Sequence, residues 1–283
     1  MENLAQSMSD CARWRAQGRK LRSEYLTASP WPHLVVDGLF PRSLVLEAER
    51  ELSLLAPSLP VHVDRSERKA TCDAEAGTAA GELLGALQSA SFLCFVEEVT
   101  GLSGLEADPM NVWGGVHVNG RGCFKSVHRD FTTHPVSGLW HRVNVLLYLN
   151  SQWDESFGGG LELWSEDMHS HGDVITPTAG TTIVFETSSK TPHGLPDPVR
   201  CPQEMYRLSL VAYYFSAEPP PGKRRTPLVR RARRPEDPWI MGIAGPGDMA
   251  KTGLSLIADH VPFARWTARV LRKRQFGGRL PPD

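Results

Sequence analysis

Apolar positions in the first hundred residues recur at helical spacing. From Glu2 to Leu26 a polar, basic stretch carries Leu4, Met8, Ala12, Leu21 and Tyr25, which predicts a helix. Ser29-Pro30-Trp31-Pro32 ends it, because proline lacks a backbone donor and restrains the residue before it. His33–Asp37 reads as a short strand. Pro41 stands where a helix starts, and Leu44, Leu46, Ala48, Leu52 and Leu55 continue it. Residues 57–81 are polar and irregular, the texture of a mobile loop. A stronger helix runs from about Gly81 to Val99, with Leu83, Leu84, Leu87, Phe92, Phe95 and Val96 on its apolar side.

The period changes after Asp108-Pro109. Short segments rich in valine, isoleucine and aromatics alternate with glycine, proline and aspartate turns, a β pattern. Strands are predicted near Asn111–Val118, Val143–Asn150, Gly160–Trp164, Asp173–Thr176, Thr181–Thr187 and Leu208–Phe215. Helices first and antiparallel strands second predict an α+β fold, a double-stranded β-helix (jelly-roll) core buttressed by N-terminal helices. Beyond Ala217, Pro219-Pro220-Pro221-Gly222 breaks any strand, and residues 223–234 carry seven basic residues in twelve. An amphipathic helix is expected from about Leu254 to Arg274.

The 283 residues suffice for one large domain or two small ones. A net charge of −1 leaves no global field toward nucleic acid or a membrane. No stretch of about 20 apolar residues stands out as a membrane span, and no apolar signal core follows the N-terminus. Cys11, Cys72, Cys94, Cys123 and Cys201 are odd in number, dispersed and without a C-x-x-C pair. Free thiols in a cytoplasmic protein are the expectation.

The sharpest chemical feature is His128-Arg129-Asp130 after a strand, with His193 far downstream in a Pro192-His193-Gly194 turn. Residues two apart on a strand share a face, so His128 and Asp130 can grip one ion, and His193 completes two imidazoles and a carboxylate. That set binds Fe(II) on one face of an octahedron and leaves other positions open. Arg207 follows His193 by fourteen residues and shares a strand face with Ser209. A guanidinium with a hydroxyl beside it suits a carboxylate held bidentately. Alternation also places Asn144, Leu146 and Tyr148 on one face, and the Tyr148 phenol can donate to the same carboxylate.

His128-x-Asp130, Tyr148-Leu149-Asn150-x-x-Trp153, Gly159-Gly160-Leu161-x-Leu163-Trp164, Thr182-Ile183-Val184-Phe185, His193-Gly194 and Arg207-x-Ser209-x-x-x-Tyr213-Tyr214-Phe215 together resemble the Fe(II)/2-oxoglutarate-dependent oxygenases of the prolyl-hydroxylase type. The lead-in Pro32-His33-Leu34-Val35-Val36-Asp37-Gly38-Leu39-Phe40-Pro41 resembles them too. The likeness divides the chain into an N-terminal helical extension (1–29), a dioxygenase domain (30–216, core from about 109) and a basic connector with a C-terminal helix (217–283). It implies that His128, Asp130 and His193 ligate Fe(II), and that Arg207 and Tyr148 bind the distal carboxylate of 2-oxoglutarate, with Ser209 and Asn144 as weaker candidates. O2 is then the oxidant and ascorbate an optional reductant. Relatives that halogenate replace the aspartate by a small residue; Asp130 is present, so hydroxylation is expected.

The implied substrate is an amino-acid-like small molecule or natural-product intermediate. Alternatives are a peptidyl proline, nucleic-acid demethylation, and a non-catalytic sensing module on the same fold. Selectivity is expected in residues 61–80, in 131–140, which contains His134 and is followed by His141, and in the tail beyond Pro219. His169-Ser170-His171 has ligand spacing but a solvated setting. The basic run 223–234 lacks interleaved aromatics before Trp239, so a solvated connector is preferred to a nucleic-acid site. A lid or a homodimer contact are the functional readings of the C-terminal helix, and packing on its own domain is preferred to both.

Overall fold

The computed structural model describes residues 4–63, 67–75, 77–108, 111–112, 114–220 and 229–231, with backbone alone for 4–9 and 229–231. In chain order the elements are α1 (Leu4–Thr27), β1 (His33–Val36), α2 (Arg42–Leu55), β2 (His62–Val63), β3 (Glu67–Cys72), α3 (Ala79–Leu87), α4 (Ala90–Thr100), β4 (Glu106–Ala107), β5 (Gly115–Asn119), β6 (Phe124–Arg129), β7 (Trp140–Tyr148), β8 (Leu161–Trp164), β9 (His171–Ile175), β10 (Thr182–Glu186), β11 (His193–Leu195), β12 (Arg207–Ser216) and β13 (Val229–Arg231).

The strands run β1-β10-β7-β12-β5-β3-β6-β11-β8-β9, each antiparallel to its neighbour. Strand β3 belongs to both halves, since Ala70–Cys72 pair with β5 while Glu67 and Arg68 pair with β6. One face of the first half (Val116, Val118, Val145, Leu147, Leu208, Leu210) packs on Val45, Leu52, Leu83, Leu87, Phe92 and Phe95 of the helices. Its other face (Tyr148, Ile183, Phe185) meets Leu161 and Leu163 of the second half, with Trp31 between them. Two sheets closed over their inner faces and backed by helices on one side make the jelly roll that the pattern predicts.

Several expectations need correction. Residues 57–81 are not simply a loop, because β2 and β3 form there and β3 joins the two halves. The helix expected over 81–99 is two helices. It breaks at Gln88 and Ser89, where the Ser89 hydroxyl caps α4 by accepting from the Phe92 amide, and the Tyr214 phenol donates to the Leu87 carbonyl at 2.5 Å. The break is tolerated because a side chain from the sheet satisfies a helix-end acceptor. On α2 the buried face is Val45, Ala48 and Leu52, while Leu46 and Leu55 are exposed. On α1 it is Trp14, Gly18 and Tyr25, with Ala12 exposed.

Strand β5 starts at Gly115 rather than Asn111. His193 opens a strand, not a turn. The cysteines are not all free: Cys11 and Cys94, 83 residues apart, are joined by a disulfide where α1 packs on α4, and Cys72, Cys123 and Cys201 are free. Within the basic run, Val229–Arg231 pairs with β6. The expected C-terminal helix at 254–274, its dimer contact and the rest of the basic run lie outside the described residues. Among the described residues no single helix is long and apolar enough to cross a membrane.

Candidate active site

Two adjacent strands and the residue that follows one of them build the centre. His128 lies near the end of β6, Asp130 follows that strand by one residue, and His193 opens β11. The β6–β11 register sets His193 directly opposite His128, with ring centroids 4.5 Å apart. Gly194 permits this approach, since a Cβ there would stand 2.9 Å from Val127 Cα and 3.0 Å from the Lys125 carbonyl oxygen. One donor atom from each of His128, Asp130 and His193 falls within 4.8 Å of the others. Asp130 lies between the imidazoles, Oδ1 at 3.3 Å from His128 Nε2 and Oδ2 at 3.7 Å from His193 Nε2.

Surrounding groups fix the ligand atoms. His128 Nδ1 bonds the Ser126 carbonyl at 2.9 Å and His193 Nδ1 the Thr191 carbonyl at 3.1 Å. A carbonyl only accepts, so each Nδ1 carries the proton and each Nε2 presents a lone pair. Asn144 Nδ2 donates to Asp130 Oδ2 at 2.7 Å. Burial pushes the His128 pKa down to about 3, with the Lys125 and His193 charges adding and Asp130 opposing. His193 is also lowered, chiefly by burial. Burial raises Asp130, but His193 and His128 outweigh it and hold the carboxyl well below its usual range.

Two neutral imidazoles and one carboxylate are the protonation states that a divalent cation requires. His128 Nε2 is buried and has no hydrogen-bond partner. A buried acceptor aimed at a carboxylate is costly unless a cation lies between them. The site therefore fits a metal with a facial His-Asp-His set.

On β12, Arg207 is 3% exposed. Its Nε donates to the Gly159 carbonyl at 2.6 Å, its Nη2 to the Tyr148 hydroxyl at 2.9 Å, and its guanidinium sits 4.7 Å from the Tyr148 ring centre. Gly159, at φ +73°, allows that contact, because a Cβ would meet Arg207 Cδ at 3.2 Å. Burial raises the Tyr148 phenol, against the pull of Arg207. The Ser209 hydroxyl and Asn144 Oδ1 are buried without hydrogen-bond partners. Strand register puts Ser209 opposite Tyr148, on the same inner face as Arg207. An arginine, a phenol and an unused hydroxyl fit one carboxylate end of a diacid.

The site residues expected from the sequence thus come from both halves, His128, Asp130 and His193 from the second and Asn144, Tyr148, Arg207 and Ser209 from the first, with the Asn144–Asp130 hydrogen bond between them. His134 is drawn off to Asp108 (Nε2 to Oδ2, 3.4 Å). His141 stacks on Phe131 at 4.4 Å and on Phe215 at 5.1 Å, walling the side nearest Asp130 together with Tyr213. His169 and His171 are exposed, as expected. Tyr213 was legible by counting in twos from Arg207. The Gly159 carbonyl had no comparable signal.

Residues 114–215 match the family model of the 2OG-Fe(II) oxygenase superfamily. The matched stretch is similar to the domain of that family. It spans β5 to β12 and holds every ligand candidate. A curated relative, prolyl 3-hydroxylase OGFOD1 of Mus musculus, is 28% identical over 106 residues, which cover 35% of this chain and 19% of that protein. Among solved structures, a Pseudomonas putida prolyl-4-hydroxylase superposes with a TM-score of 0.51 at 20% identity, covering 70% of this chain and 98% of that one. The non-heme alpha-ketoglutarate-dependent epimerase SnoN of nogalamycin biosynthesis superposes at 0.50 with 15% identity, over 80% and 94%. At these identities the superpositions show a shared jelly-roll fold and nothing beyond it.

Proposed function

We propose that the protein is an Fe(II)/2-oxoglutarate-dependent dioxygenase that hydroxylates an unactivated C–H bond in an amino-acid-like small molecule or natural-product intermediate. The observation that carries this reading is the cross-strand pairing of His128 with His193 around Asp130 on the second half, tied by the Asn144–Asp130 hydrogen bond to β7 of the first half, which carries Tyr148 beside Arg207. When bound, iron and 2-oxoglutarate supply the oxidising chemistry, O2 being consumed and the diacid leaving as succinate and carbon dioxide.

In this reading His128, Asp130 and His193 hold the metal through Nε2, a carboxylate oxygen and Nε2. Asn144 keeps Asp130 turned toward it. Arg207 and Tyr148, with Ser209 beside them, fix the far carboxylate of 2-oxoglutarate and so orient its other end toward the metal. Phe131, His141, Tyr213 and Phe215 exclude water on the Asp130 side, where a substrate carbon would be held. A carboxylate ligand occupies the position that a halide would need, which favours hydroxylation over halogenation.

A peptidyl proline is the second reading, favoured by the names of the mouse and Pseudomonas relatives. The deciding experiment is anaerobic titration of the metal-free protein with Fe(II) and 2-oxoglutarate, followed by the weak visible charge-transfer band of the chelate. A band lost in His128→Ala, and reached only at much higher 2-oxoglutarate in Arg207→Ala, supports the assignment. No band from folded wild-type protein overturns it.

A further inference from the structure

The inner face beside the metal-ligand candidates carries charge that neither metal nor cosubstrate uses. Between β6 and β11 the pairing advances two residues on β11, His193 to Leu195, against three on β6, His128 to Lys125. That is a bulge, and it interrupts the alternation that would otherwise send Lys125 to the face opposite His128. On β3, Ala70 packs toward the helices, so alternation sets Glu67 and Lys69 toward the interior. There Glu67 lies under both lysines, Oε1 at 3.4 Å from Lys69 Nζ and Oε2 at 3.8 Å from Lys125 Nζ. The Glu67 side chain is 6% exposed and that of Lys125 33%. The carboxylate is therefore buried while the Lys125 side chain is part-exposed, at a separation too long for a hydrogen bond. The Lys125 charge reaches both His128 and His193.

The tail supplies a second, separate observation. Strand β13 lies antiparallel along β6, with Arg230 opposite His128 and Arg231 opposite Val127. Thus a basic sequence, in a chain whose net charge is −1, is anchored on the strand that bears His128, just past Lys125.

We propose that this edge of the site recognises a carboxylate of the substrate, with Lys125 as its ion-pairing anchor and the basic segment β13, paired to β6, adding positive charge to that strand. The inference rests on the oxygenase reading and narrows it to a substrate with a free carboxylate. Of the two ammoniums on Glu67, that of Lys125 is the more exposed, and one such group suits one compact anion. A nucleic-acid strand would need stacking aromatics along the basic run, and there are none before Trp239. Glu67 holds Lys125 in place and disfavours a second anionic group beside it.

The test uses the full chain loaded anaerobically with Fe(II) and 2-oxoglutarate, titrated calorimetrically with L-proline, L-leucine and L-arginine and with their C-terminal amides. At least one free acid is expected to bind about tenfold or more tightly than its amide. Lys125→Gln erases that difference while the charge-transfer band persists, and Lys125→Arg restores it. Arg230→Gln with Arg231→Gln weakens the acid severalfold and flattens its dependence on salt. The inference is overturned if acids and amides bind alike, if no acid binds, if a short oligonucleotide binds more tightly than every acid, or if Lys125→Gln keeps the preference. Absence of the band in wild-type protein is a different failure, that of the oxygenase reading itself.

Discussion

His193 faces His128 as its direct cross-strand partner, so one register of β11 on β6 decides whether the two imidazoles share a focus. Because side chains alternate with period two, a slip of one residue would turn His193 to the opposite face. His193→Ala or His128→Ala is therefore expected to abolish Fe(II) binding and the charge-transfer band with little change in fold. Asn144→Ala, which releases Asp130, is expected to keep the band but weaken iron about 10- to 100-fold. Equal iron affinity in wild type and Asn144→Ala would remove Asn144 from the site.

Arg207 and Tyr148 are expected to separate in their effects on the cosubstrate. Loss of a charged hydrogen-bonding partner costs about 1.5–3 kcal/mol, so Arg207→Ala should raise the 2-oxoglutarate KM by about 10- to 100-fold or more. Tyr148→Phe removes one neutral hydroxyl that accepts from Arg207 at 2.9 Å, and about 1 kcal/mol predicts roughly fivefold. Titration of 2-oxoglutarate at fixed iron measures both. A larger effect from Tyr148→Phe than from Arg207→Ala would reverse the assignment.

The sequence made the centre legible because its chemistry is concentrated in unlike residue types at fixed offsets. An H-x-D, a distant histidine and an arginine opening an apolar strand survive without any knowledge of the sheet. Strand β3 was not legible, because Glu67–Cys72 offers three charged positions in a row and only Ala70 and Cys72 as apolar ones, too few to show alternation. Its place is set by pairing on both sides, with β5 and with β6. The Cys11–Cys94 pairing was hidden for a similar reason, since only the packing of α1 on α4 brings residues 83 apart together. The break between α3 and α4 depends on the Tyr214 hydroxyl, a contact 127 residues away.

Trp14 joins α1 to the remainder of the core. Its ring meets Phe92 edge-on at 5.1 Å and Phe95 at 5.5 Å, and it is 8% exposed. Trp14→Ala leaves a large cavity, for which a cost of about 3–5 kcal/mol is expected. In a domain of this size that lowers Tm by roughly 10 °C. The residue is remote from the metal ligands, so the charge-transfer band should persist at low temperature. A Tm within a degree or two of wild type would show that α1 contributes nothing to the core.

Buried neutral histidines make the metal-free protein sensitive to mild acid. His128 titrates near 6.5 when unfolded and at about 3 when folded, so below pH 6.5 the unfolded chain binds a proton that the folded chain refuses. Stability from this group is fully present above 6.5 and is lost as the pH falls toward 3. Well inside that window the loss is about 1.4 kcal/mol per pH unit. His193 is lowered in the same direction and adds to it. Asp130, held below its usual range, contributes above about 4 and loses that contribution only at lower pH. Chelator-treated protein is therefore expected to hold its Tm from pH 8 to 7 and to lose it steadily from 6.5 to 4.5, with His128→Gln giving a shallower slope. Saturating Fe(II) should lift Tm at pH 7 by mass action and lift it less at pH 5, where protons compete for the ligands. A His128→Gln profile parallel to that of wild type would mean that His128 is already protonated in the folded, metal-free state.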